Sequence, residues 1–137
     1  MESTNPTAKV ELFTPVQALA YGLNDAQERV YAVNEANGWF EDDRTVGDDI
    51  ALLHSEVSEM LEAYRDGGLA DQTADEISMI DGTVLVVKPE GFGAEAADVL
   101  VRLLDTCKRR GIDLPAEFER KLAYNKTRGH KHGGKVM

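Results

Sequence analysis

The stretch 45–65, TVGDDIALLHSEVSEMLEAYR, decides the fold. Thr45 with Asp48 three residues later reads as a capping-box-like helix start. Ile50, Leu53, Val57, Met60, Leu61 and Tyr64 then recur at helical spacing and form the main apolar arc. Leu52 and Ala63 extend that arc on one side. Glu56 lies inside the extension, Glu59 at its border, and Glu62 is rotated further toward solvent. A carboxylate within an apolar arc costs free energy unless it meets a cation or hydrogen-bond donors. Glu56 is therefore the first residue in the chain that asks for a functional explanation.

Working outward, the same signals place three more helices. Thr14-Pro15-Val16-Gln17 combines an N-cap, a proline at the first helical position and a Gln three residues after the cap. Val16, Leu19, Ala20, Leu23, Val30 and Val33 continue that helix, which should end near Asn37-Gly38. A third helix is expected from about Pro89-Glu90-Gly91 to Gly111. A fourth opens at Asp113-Leu114-Pro115 and ends near Arg128-Gly129. Between the second and third, residues 68–90 suggest a short irregular or strand-like insertion. Thr73 to Met79 could hold a helical turn, and Thr83–Val87 reads as a strand with no obvious partner in the chain. The expected architecture is all-α: a four-helix domain over residues 14–128, a flexible N-terminus over 1–13 and a basic tail over 129–137.

With 137 residues, 42% of them apolar and 29% charged, the composition is that of one globular domain. No apolar run approaches the roughly 18 residues needed to span a bilayer. No basic n-region or apolar h-region opens the chain, so a cytoplasmic location is expected. The single Cys107 falls on an apolar helix face and reads as a small buried hydrophobe. The net charge of −10 is uneven: residues 120–137 carry six Lys or Arg and no acid, so the first 119 stand at −16. Such an acidic body repels the backbone of nucleic acids. The basic end could close over a small polyanion or stay solvated.

Two acidic motifs carry the chemistry, Glu56-Val-Ser-Glu59 and Glu95-Ala-Ala-Asp98. Each puts two carboxylates one turn apart on the same side of a helix. Counting alone is uninformative, because 25 acids scattered at random would form roughly four or five such pairs and the chain has four. Their placement is what matters. If the two helices face each other, four carboxylates converge, each like-charge pair at about 5 Å costing roughly 3 kcal/mol at an effective dielectric near 20. Protons or cations must then neutralise them. Oxygen ligands without thiolate or imidazole favour Mg²⁺, with Mn²⁺ as an alternative. On the third helix, Ala96, Val99, Leu100, Leu103, Leu104 and Cys107 form the apolar arc. Glu95, Asp98, Arg102 and Asp105 share the opposite face, which could equally be solvated surface with Arg102 paired to Asp98. A ferritin-like di-iron site is disfavoured, because no His follows an acid by three residues on these helices.

The ordered set formed by the ExxE stretch 53–65, the ExxD stretch 89–105, Asn37-Gly38-Trp39-Phe40 and the segment 121–135 resembles the MazG-like all-α nucleoside triphosphate pyrophosphohydrolases. That family is similar to dimeric dUTPases and phosphoribosyl-ATP pyrophosphatases. The resemblance spans about residues 14–135. It implies cleavage of an NTP or dNTP between the α- and β-phosphates, with Glu56, Glu59, Glu95 and Asp98 ligating Mg²⁺. One of Glu56, Glu59 or Glu62 would orient or deprotonate the attacking water. Lys121, Asn125 and Arg128 would hold phosphates, and Trp39 would stack on the base or else anchor the turn between the first two helices. It also implies a homodimer or homotetramer that completes the helical bundle, with no nucleic-acid or membrane partner. The competing readings are a non-catalytic helical metal- or nucleotide-binding or interaction module, and a pyrophosphohydrolase for a larger nucleotide such as phosphoribosyl-ATP.

Overall fold

The computed structural model describes residues 13–70, 78–80, 83–85 and 88–128. Four helices carry the chain: α1 Pro15–Ala36, α2 Val46–Gly67, α3 Phe92–Arg109 and α4 Leu114–Thr127. The all-α expectation holds, and each helix starts where its sequence signal lies. Thr14 and Gln17 cap α1 reciprocally, at 2.9 and 3.2 Å. Thr45 accepts from the Asp48 amide at 3.2 Å while Asp48 accepts from the Thr45 amide at 2.8 Å, a complete capping box on α2. Those bonds favour the charged form of Asp48 and hold its carboxyl below the ordinary range. Asp113 caps α4 through the Ala116 amide at 3.2 Å, with Pro115 in the first turn. The turn after α1 relies on Gly38, whose φ of +76° is a conformation that L side chains rarely adopt.

The insertion between α2 and α3 contains strands, one of the expected alternatives, but their pairing differs from the expectation. Ser78–Ile80 (β1) and Thr83–Leu85 (β2) pair antiparallel in the register Ser78↔Leu85, Met79↔Val84, Ile80↔Thr83. The segment starting at Thr83 therefore has its partner inside the chain, and Ser78 and Met79 belong to a strand instead of a helical turn. Asp81-Gly82 separates the two strands and is a dipeptide strongly favoured in two-residue hairpins. Residues 73–77 and 86–87 lie outside the described set, as do the expected flexible N-terminus up to residue 12 and the basic tail from 129.

Two compact units make up the chain: Gln27–Ile112, and the stretches before Gln27 and after Ile112. In the larger unit α2 and α3 pack antiparallel. Asp49 meets Arg109, Glu56 meets Arg102 and Tyr64 meets Phe92, so contacts descend α3 as they ascend α2. Among the described residues of this unit, Leu104 and Cys107 are the buried apolar side chains, and Gln27, Asp49, Glu56 and Asp105 the buried polar or charged ones. Gln27 of α1 reaches the Leu104 carbonyl at 3.5 Å.

The α2 face turned inward is thus centred on the extension with Asp49, Leu52, Glu56 and Ala63, with Leu53 and Met60 half-buried at the adjoining edge of the main apolar arc. Val46, Ile50, Val57, Leu61 and Tyr64 fall within an arc of about 60° at 100° per residue, and they are 44–55% exposed. Leu100 and Leu103 of α3 are exposed as well.

Candidate metal centre

The α2–α3 register brings three of the four motif carboxylates together. Glu56, Glu95 and Asp98 each offer one oxygen, and these atoms lie within 4.8 Å of one another. Glu56 is 8% exposed, Glu95 is half-buried and Asp98 opens to solvent. Burial pushes the Glu95 carboxyl above its ordinary value, and the like charges of Glu59, Asp98 and Glu56 push the same way against the opposing pull of Lys88. Glu59 thus feels the cluster electrostatically but stands outside the converging group. It is exposed on α2, with the Ser55 hydroxyl donating to it at 3.3 Å. Glu62 is exposed too, about 120° around the helix from Glu56.

Arg102 does not follow the solvated-surface alternative. It does not pair with Asp98 one turn away; its Nε donates to Glu56 Oε1 across the seam at 2.8 Å. Its guanidinium carbon also lies 5.4 Å from the Trp39 ring centroid, a cation–π contact. Asn34, Trp39, Glu56, Asp98, Val101 and Arg102 line one cavity of about 200 Å³. Trp39 is 48% exposed and also borders a second cavity of about 400 Å³ with Asn37, Gly38, Asp42, Arg44 and Leu52.

Two turns along the seam lies a group that the sequence reading missed. Asp105, expected on a surface face, is 3% exposed, and Asp49 is buried beside it. Three arginines surround them. Arg110 donates to Asp49 Oδ2 from Nη2 at 2.6 Å and from Nε at 3.1 Å, and to the Arg44 carbonyl at 2.8 Å. Arg109 Nη1 lies 3.5 Å from Asp49 and 3.9 Å from Asp105, and Arg44 Nη2 lies 3.7 Å from Asp105. Arg109 also stacks its guanidinium 4.9 Å from the Phe40 ring. The Gly38-Trp39-Phe40 turn therefore presents successive aromatics to arginines seven residues apart.

Lys121, Asn125 and Arg128 belong to the smaller unit, exposed on and just after α4. Lys121 Nζ and Arg128 Cζ each lie 5.9 Å from the Tyr124 ring centroid.

The donor set fits a hard divalent cation. Three carboxylates with a single bonded arginine leave a local net −2, and their oxygens lie within 4.8 Å of one another, against roughly 4.2 Å for trans and roughly 3.0 Å for cis ligands at about 2.1 Å from Mg²⁺. An all-α protein with a carboxylate cluster that could hold a metal is the class that fold and site define. No family model matches the chain, and neither a curated protein nor a solved structure matches it. Among the described residues, no helix is long and apolar enough to cross a membrane.

Proposed function

We propose that the protein is a Mg²⁺-dependent nucleoside triphosphate pyrophosphohydrolase of the MazG-like kind, releasing pyrophosphate and a nucleoside monophosphate. The observation that carries this reading is the convergence of Glu56, Glu95 and Asp98 from two antiparallel helices with too little internal positive charge. A bound Mg²⁺ would neutralise triphosphate charge and acidify a water.

This chain's own residues supply the rest. Glu56, Glu95 and Asp98 would hold the ion, with Glu59, exposed one turn from Glu56 on the same helix, as a further ligand. One of Glu56, Glu59 or Glu62 would orient or take a proton from the attacking water. Trp39, bordering two cavities, offers a ring face for the base. Lys121, Asn125 and Arg128 are assigned to phosphates on their chemistry and on the sequence resemblance.

A homodimer or homotetramer belongs to the same proposal. Its support is the exposed stripe Val46, Ile50, Val57, Leu61 and Tyr64 on α2. Fully burying such a side chain stabilises by about 1.5–3 kcal/mol, of which the single chain, with these residues 44–55% exposed, leaves roughly half unused.

The test is pyrophosphate release from a panel of NTPs and dNTPs with Mg²⁺. Activity should fall at least ~100-fold in Glu56→Gln and in Asp98→Asn, corresponding to about 2.7 kcal/mol of transition-state stabilisation. No release by the wild type sinks the enzyme reading and favours a binding module. Release of inorganic phosphate instead refutes the cleavage position.

A further inference from the structure

Arg102 is an odd neighbour for a cation site. Its guanidinium bonds Glu56, the most buried of the three clustered carboxylates, while its other side rests on Trp39. A fixed positive charge beside a divalent ion is repulsive by several kcal/mol at about 5 Å and an effective dielectric near 20. Yet without any cation, Glu56 would be a buried charge with no counter-ion, which folded proteins tolerate poorly. Both facts are satisfied if the two cations take turns.

We infer that Arg102 is an exchangeable internal counter-ion: it holds Glu56 when the site is empty and releases it when a divalent cation arrives. The inference rests on the metal-site reading given above and specifies how that site survives unloaded. On release the guanidinium moves relative to the Trp39 face it now rests on. It then becomes a free donor within the cavity shared by Asn34, Asp98 and Val101, suited to an anionic oxygen of a phosphate-bearing substrate. The exchange moves one proton donor and no covalent bond. Trp39 is the chain's sole tryptophan, so its emission reports on the arginine directly.

The test combines three measurements on full-length protein. Mn²⁺ binding followed by electron paramagnetic resonance should be at least tenfold tighter in Arg102→Met, about 1.4 kcal/mol, and close to wild type in Arg102→Lys. Without metal, Arg102→Met should melt below wild type, and Mn²⁺ should raise its Tm by more than it raises that of wild type. Mg²⁺ should shift Trp39 emission in the wild type and leave it unmoved in Arg102→Met. Mn²⁺ bound equally or more weakly by Arg102→Met overturns the exchange while sparing the metal site. Should that variant not fold, a wild-type Trp39 signal indifferent to Mg²⁺ while Mn²⁺ binds has the same force. No Mn²⁺ bound by the wild type overturns the metal reading itself, and the exchange with it.

Discussion

Two carboxylate groups sit on the same α2–α3 seam, two helical turns apart, and they are neutralised in opposite ways. Asp49 and Asp105 are met by Arg44, Arg109 and Arg110, so positive charge exceeds negative by one. Glu56, Glu95 and Asp98 are met by Arg102, and negative charge exceeds positive by two. Asp49 and Glu56 are similarly buried, but Asp105 is buried as well whereas Glu95 is half-buried and Asp98 opens to solvent. The groups therefore differ both in exposure and in the supply of internal cations. Where the chain provides them, the carboxylates clamp two helices and the last loop before α2. Where it provides fewer, negative charge is left in excess, and the proposed metal site rests on that excess.

The contrast can be broken by substitution. The largest effect is expected at Asp49. Asp49→Ala strands three arginines around Asp105, and removing one partner of a buried ion group costs about 3–5 kcal/mol. Urea unfolding should show that loss with and without Mn²⁺; a loss below about 1 kcal/mol would mean that the arginines do not depend on Asp49. Asp98→Asn should do the reverse. It removes a charge from the group in excess, so metal-free stability should hold or rise, while Mn²⁺ affinity drops at least ~10-fold, about 1.4 kcal/mol. Calorimetric titration reads the affinity and metal-free thermal melting the stability, and undiminished Mn²⁺ binding would remove Asp98 from the site.

A subtler effect concerns Glu95. Its carboxyl is raised in the folded state, so the folded protein binds that proton more readily than the unfolded chain. Stability must then fall as pH climbs through the window between the ordinary and the raised value. Glu95→Gln should therefore exceed wild type in Tm at neutral pH without metal, and the gap should close on acidification below the ordinary carboxylate range. A gap that widens on acidification would refute the crowding of charge.

The smallest effect belongs to Asp48, outside both groups. Its carboxyl is lowered by the Thr45 hydrogen bonds, so its contribution is present above the ordinary value and fades as pH falls through the depressed one. Asp48→Asn should lower Tm slightly at neutral pH and match wild type in acid, with Mn²⁺ binding unchanged.

Much of the fold could be read without coordinates because its punctuation is local. Thr14, Thr45 and Asp113 satisfy amides three residues away, so cap and helix start are legible within four residues. The hairpin was harder, since pairing Ser78–Ile80 with Thr83–Leu85 depends on reading Asp81-Gly82 as a connection. For the site, Glu56 stood out by lying in an apolar arc. Glu95 and Asp98 did not, because whether a polar face meets water or another helix is not a property of one helix. A signal for the second group was nevertheless present. Asp49 and Glu56, Asp98 and Asp105, and Arg102 and Arg109 are each seven residues apart, so charge repeats every two turns on both helices. Antiparallel packing then duplicates the acid–arginine pairing along the seam.

The sequence by itself determined four helices, their caps and their ends, and which side chains share a helical face, because these follow from interactions within a turn or two. It also determined that Glu56 needs a counter-charge. Only the tertiary structure decided which face of α2 goes inward, since an apolar arc and its polar-bearing extension compete for the same partner helix. That choice buries Asp49 and Glu56, leaves the stripe from Val46 to Tyr64 exposed, and gives Arg102 to Glu56 instead of to Asp98. Register is a relation between helices, and the difference between carboxylates met by three arginines and carboxylates met by one is set there.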